Sequence, residues 1–222
     1  MRLLYHFALD PASRLARLAL TEKKLDFALR EERPWERREA FLDLNPAAEV
    51  PVLVESEGPI VAGAPAIVEY IDETSGGESL IGNGAVQRAE VRRLVHWFTA
   101  KFDREVTRYL LGQKIMDRLA GRGVPDAMLI RAGLTNLRLH VDYLGWLAEH
   151  RNWLAGERFS LADIAAAAHI SVIDYLGDMP WEVNAAAREW YQRIKSRPSF
   201  RPLLGDRVTG APPPAHYADL DF

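Results

Sequence analysis

The spacing of apolar residues changes character once along this 222-residue chain, and that change constrains the fold more than any other feature. Before about residue 76, short apolar runs alternate with segments at helical spacing; beyond about residue 84 only helical spacing remains. Residues 3–7 read as a strand, and Asp10-Pro11 then supplies an N-cap with proline at the first helical position. Leu15, Leu18 and Ala19 continue that helix toward Lys23-Lys24, where cations suit a helix end. A strand over 26–30 follows. A short helix carrying Phe41, Leu42 and Leu44 comes next, stopped by Asn45-Pro46. Strands over 50–54 and 59–62 flank the Glu57-Gly58 turn, and 65–74 forms a helix on Ile67, Val68 and Ile71, broken by Ser75-Gly76-Gly77.

The order βαβαββα is followed by long amphipathic helices expected over 86–114, 126–150, 160–176 and 181–197. The fold class is therefore α/β plus all-α. The expected domains are 1–78 and 85–205, with 206–222 as an extended tail in which Pro212-Pro213-Pro214 acts as a polyproline spacer.

Composition removes several function classes. Twenty-eight Lys and Arg against 31 Asp and Glu give a formal charge of −3, so no global field favours nucleic acid or acidic lipid. No run approaches the roughly 18 apolar residues of a membrane span, which predicts no membrane insertion. The absence of cysteine excludes disulfides, thiolate metal sites and cysteine nucleophiles, and fits a cytoplasmic setting. The six histidines show no metal-ligand spacing, so no metal is expected.

Two segments carry a family resemblance. Leu44-Asn45-Pro46-Ala47-Ala48-Glu49-Val50-Pro51-Val52-Leu53 resembles a stretch of glutathione transferases in which the proline at Pro51 follows a cis peptide bond. Phe159-Ser160-Leu161-Ala162-Asp163-Ile164 resembles the capping box of the same family, with Phe159 and Ile164 as its hydrophobic staple. The resemblance covers about residues 1 to 205 and implies a thioredoxin-like N-terminal domain and a helical C-terminal domain. It also implies a ligand cleft at Val50 and Pro51, where backbone groups meet the cysteinyl part of glutathione.

Catalysis in that family lowers the thiol pKa of glutathione through a hydroxyl donor or the first helix's N-terminus, because the thiolate is the nucleophile. The serine and cysteine patterns align the active position with Asp10, whose carboxylate would repel a thiolate. The tyrosine pattern, counted back from Arg17, lands on His6, with Tyr5 one residue away on the opposite strand face. Ser13 is a further candidate in the first helical turn, set against an ordinary solvated serine. The family's acid-or-amide and serine pair, which holds the γ-glutamyl end, aligns with Gly63-Ala64, and neither residue offers a side-chain hydrogen bond. Each lost bond to a charged group costs about 1.5–3 kcal/mol, which moves a micromolar affinity toward millimolar. Glutathione is therefore not expected to bind tightly, no other cofactor is expected, and thiol transfer is expected to be absent or weak.

The remaining candidates lie on surfaces. Between Gln87 and Arg122, nine cations face four acids, an excess that could receive an acidic partner or be a solvated face. The last residues interleave Tyr217, Leu220 and Phe222 with Asp219 and Asp221, which describes a docking peptide more than a frayed end. Trp35 either packs on its domain or serves as an exposed anchor. Asp10 to Arg14, Pro34 to Arg38 and the terminal HYADLDF together resemble a bacterial branch of the family that binds the division polymer FtsZ without using glutathione. That resemblance implies FtsZ as partner, binding through the tail and the cleft side, a homodimer packed through helices 3 and 4, and a place at the division site. The alternative is a divergent glutathione transferase or isomerase acting on another small molecule.

Overall fold

The computed structural model describes residues 1–220, so Asp221 and Phe222 of the expected docking peptide lie outside the described residues. The chain divides into a unit of Met1–Ser79 and a second from Leu80 onward.

The first unit follows the expected βαβαββα order. Its elements are β1 (Arg2–His6), α1 (Pro11–Glu22), β2 (Phe27–Glu31), a 3₁₀ turn at Pro34–Glu36 and α2 (Glu39–Leu42). β3 (Val52–Val54), β4 (Ile60–Ala62) and α3 (Ala64–Thr74) complete it. The sheet order is β2-β1-β3-β4, with β1 and β2 parallel and the other pairs antiparallel. β3 starts two residues later than expected, because Pro51 has no N–H for the ladder. Leu4, Val52 and Leu53 of the sheet and Ile67, Val68 and Ile71 of α3 are buried, as are Leu15, Leu18 and Ala19 of α1. Each large aliphatic side chain so removed from water contributes about 1.5–3 kcal/mol.

The second unit is helical. α4 (Ala85–His96) continues without a break through a π-wound stretch, Trp97–Thr107, then α5 (Arg108–Leu111), a second π stretch, Gly112–Met116, and α6 (Asp117–Leu119). α7 (Ala127–His150), α8 (Leu161–Leu176), α9 (Ala185–Lys195) and α10 (Arg201–Leu204) follow. α9 begins four residues later than expected because Asn184 caps it, its Oδ1 accepting from the Ala187 amide at 3.1 Å. Gly145 makes room for that cap: a Cβ there would lie 2.1 Å from the Asn184 side chain.

α8 corrects the expectation of an amphipathic helix. Every residue from Leu161 to Tyr175 is buried, so the helix runs through the middle of its unit, apolar nearly all round. Several of its buried polar groups are answered by neighbours, while Asp174 Oδ1 has no hydrogen-bond partner among the described residues. His169 Nδ1 lies 2.9 Å from Thr107 Oγ1, and the Ser171 hydroxyl donates to Ala168 O. At the helix start the capping box closes as expected: Ser160 Oγ accepts from the Ala162 amide at 3.3 Å and the Ser160 amide donates to Asp163 Oδ2 at 3.1 Å. Asp163 reaches further than the box requires, its Oδ1 accepting from the Leu154 amide and from Trp190 Nε1, each at 3.0 Å. Burial raises the Asp163 pKa, and these donors oppose the rise.

The segment after residue 206 corrects the expectation of an extended tail. Val208 and Ala211 form a bridge, and Ala215–Ala218 forms a 3₁₀ turn. Tyr217 is fully buried, its ring edge-on to Tyr175 at 5.2 Å. The prolines lead the chain into an aromatic slot, which polarity alone does not forecast. Among the described residues, no helix is long and apolar enough to cross a membrane, and no cluster of metal-ligating side chains occurs.

The buried polar groups of α8 set two stability expectations. Asp163→Ala leaves two amides, an indole N–H and a hydroxyl without their acceptor, and urea denaturation is expected to show a loss of about 3 kcal/mol or more. Burial lowers the His169 pKa to about 3, so the unfolded chain takes up a proton near pH 6.5 that the folded chain refuses. Stability held above pH 6.5 is lost as pH falls, and His169→Gln is expected to shrink the difference in unfolding free energy between pH 7 and pH 5 by about 2 kcal/mol.

Candidate functional site

The end of β1 and the first turn of α1 are where the resemblance expects thiol chemistry. Asp10 takes extended backbone angles and caps α1, its Oδ2 accepting from the Ser13 amide at 2.6 Å. The carboxylate is thereby engaged within its own helix. Ser13 is fully buried, and its Oγ accepts from the Phe7 amide at 3.3 Å. It is neither a solvated first-turn serine nor a hydroxyl open to ligand; it ties the strand exit to the helix. Arg14 completes the turn, wholly buried, with Nε donating to Ala8 O at 2.8 Å.

The tyrosine-like candidates are also enclosed. Tyr5 is buried, tilted against Phe41 at 5.7 Å, and its phenol oxygen accepts from the Arg30 guanidinium at 3.2 Å. His6, on the opposite face of β1, is buried, and its carbonyl accepts from the Glu32 amide at 2.8 Å. Neither residue presents a hydroxyl or imidazole at an open surface.

The remainder of the expected cleft is backbone. The Val50–Pro51 peptide bond is cis, as the resemblance implied, and both residues are buried. The Gly63 amide donates to Pro51 O at 2.9 Å, which links the turn before α3 to the strand. Gly63 holds φ at +87°, and a Cβ built there would meet no atom within 4 Å. Space for a side chain therefore exists, while the backbone conformation disfavours any residue but glycine. Ala64 is buried at the start of α3 and adds no donor or acceptor through its side chain.

The segment after β2 closes over this end of the unit. Trp35 packs edge-on against Phe7, ring centres 5.2 Å apart, and is half-buried, so it packs on its domain while part of its ring stays at the surface. Arg37 takes a left-handed conformation, φ 45°, at the end of the Pro34–Glu36 turn. Arg38 then forms a two-pronged pair with Glu32, whose carboxylate is almost wholly buried. The Glu32 carboxylate raises the Arg38 pKa. Sequence reading passed over Glu32; opposite charges six residues apart across a Pro-Trp turn were the available signal.

In the helical unit, the cationic stretch is answered largely from within. Arg93 pairs with Glu90, Lys101 with Glu105, Arg108 with Asp103 and Arg122 with Asp117, which favours the solvated-face reading over an open basic surface. Tyr217, expected as a partner anchor, is instead an internal residue whose hydroxyl donates to Leu203 O at 3.1 Å. Around it His216, Ala218 and Asp219 are exposed and Leu220 is half-buried. Sequence reading also missed Asp174, Lys195 and His216, which the fold brings beside Tyr217; a lone lysine on an apolar helix face was the only sign.

Family models for the glutathione S-transferase N-terminal and C-terminal domains match residues 11–74 and 135–198. FtsZ-localized protein A of Caulobacter vibrioides is 50% identical over 100% of this chain and 98% of its own length. The crystal structure of a glutathione S-transferase from Rhodospirillum rubrum F11 is similar at 52% identity and a TM-score of 0.98, with 100% of both chains covered. The solved structure of FzlA from C. crescentus matches at 50% identity and a TM-score of 0.96, covering 100% of this chain and 99% of the other. With a family model on each unit and relatives alike along the full length, the chain belongs to the glutathione S-transferase family.

Proposed function

We propose that this protein is a non-catalytic member of its family that binds FtsZ filaments and regulates bacterial cell division, acting from the cytoplasm at the division site. The observation that carries the reading is the likeness, over the whole chain, to a protein named FtsZ-localized protein A. The ligand end of the sheet unit supports it: Asp10 caps its helix, Ser13 is buried, and Gly63-Ala64 supply no side-chain grip. Nothing in that arrangement would activate a thiol, so glutathione is read as neither cofactor nor substrate.

Docking is assigned to the outer part of Trp35 and to Asp219 and Leu220, with Asp221 and Phe222 added from the sequence alone. A homodimer packed through α3 and α4 would offer two copies of those surfaces, and two sites on one polymer raise avidity without new contacts. The likeness to a Rhodospirillum rubrum protein named as a glutathione S-transferase favours the second reading, a divergent transferase or isomerase on a small molecule. The missing glutamyl grip and the engaged Asp10 weigh against it.

Two measurements separate these readings. The chain is expected to pellet with FtsZ filaments in co-sedimentation, and removal of residues 219–222, which spares Tyr217, is expected to weaken that by about tenfold or more. A chain left in the supernatant at all filament concentrations would overturn the reading. In calorimetric titration, glutathione is expected to bind at millimolar or weaker affinity, whereas a micromolar constant would restore the transferase.

A further inference from the structure

Three elements of the helical unit bring charge to one dry point. Asp174, near the end of α8, and Lys195, the last residue of α9, are both fully buried, with Lys195 Nζ 3.5 Å from Asp174 Oδ2. Tyr191 on α9 donates its hydroxyl to the same carboxylate oxygen at 3.2 Å. From the segment after α10, His216 Nε2 approaches Asp174 Oδ1 at 3.8 Å. None of these residues belongs to the ligand end of the sheet unit.

Lys195 reaches the 215–218 turn in several ways. Its ammonium is 3.5 Å from the His216 carbonyl and lies 5.7 and 5.9 Å from the ring centres of Tyr191 and Tyr217. The Asp219 carboxylate also attracts it. Tyr217 is fixed independently by its bond to Leu203 O, and Tyr175, against which it packs, donates to Ala211 O at 2.7 Å and accepts from the Val208 amide at 3.0 Å.

A buried ion pair costs much of its attraction in lost hydration, so it is a poor device for stability alone. Its effect here is positional. The carbonyl, the ring and the acid that complete the shell of Lys195 all come from one short turn and the residue after it, and shifting the turn strips them from a buried cation at once.

We propose that Lys195, held by Asp174, is a positioning residue that fixes the Ala215–Ala218 turn, so that Asp219 and Leu220 meet the partner from a fixed position. This rests on the reading above that the segment meets FtsZ.

The test compares Lys195→Met, the volume-keeping double variant Asp174→Asn/Lys195→Met, Tyr217→Ala and Tyr217→Phe in the full chain. Hydrogen exchange of the Tyr217 and Asp219 amides, which bond Pro214 O and His216 O, reports the turn. FtsZ co-sedimentation reports its use. Lys195→Met, the double variant and Tyr217→Ala are expected to speed exchange at those amides by about tenfold or more and to weaken FtsZ binding about tenfold, with exchange in α8 unchanged. Tyr217→Phe, which keeps the ring over the cation but loses the bond to Leu203 O, is expected to fall between the unaltered chain and Tyr217→Ala in both readouts. A synthetic peptide of residues 209–222 is expected to bind about tenfold more weakly than the chain, or weaker still. Unchanged exchange in the double variant would overturn the latch, and a free peptide binding as tightly as the chain would overturn pre-placement while sparing the docking reading. Should the unaltered chain not bind FtsZ, the functional reading falls, and the exchange data still decide whether Lys195 fixes the turn.

Discussion

The helical unit depends on the carboxylate of Asp163. α8 is buried on all sides, so its first amides cannot turn to water, and the surrounding chain must satisfy them. Asp163 closes the capping box with Ser160 and, with its other oxygen, holds the Leu154 amide and the Trp190 indole. One side chain thereby joins the start of α8, the loop before it and the middle of α9. Arg193 and Arg197 extend that corner outward, their guanidinium groups stacked on Trp153 and Phe159.

The sheet unit keeps the backbone features of its family. The cis bond before Pro51, the turn at Gly63 and the proline-led helices keep the path of the chain. Asp10 and Ser13 are both bound into that scaffold by hydrogen bonds to the Ser13 and Phe7 amides. Capping and catalysis compete for the same short polar side chain at a helix N-terminus, and here capping holds it.

The unit after Leu80 uses buried charge for placement. Asp174 and Lys195 lie on helices, and beside Tyr191 of α9 groups from the segment beyond α10 also surround them. A reading by polarity takes that segment for a loose peptide. Tyr217 alters the outcome, because an aromatic ring between α8 and α10 brings the neighbouring backbone in with it.

Local chemistry made much of this protein legible from its residues. Apolar spacing marked the βαβαββα order and the change to helices, and Asp10-Pro11 and Ser160 to Asp163 marked helix starts, because propensity and capping act over a few positions. Tertiary structure alone decided the rest. It buried α8 on every side, enclosed Ser13 and Tyr5, paired Glu32 with Arg38, and drew His216 and Tyr217 onto Asp174 and Lys195. Those outcomes depend on which distant surfaces exclude water together, and no spacing along the chain carries that information.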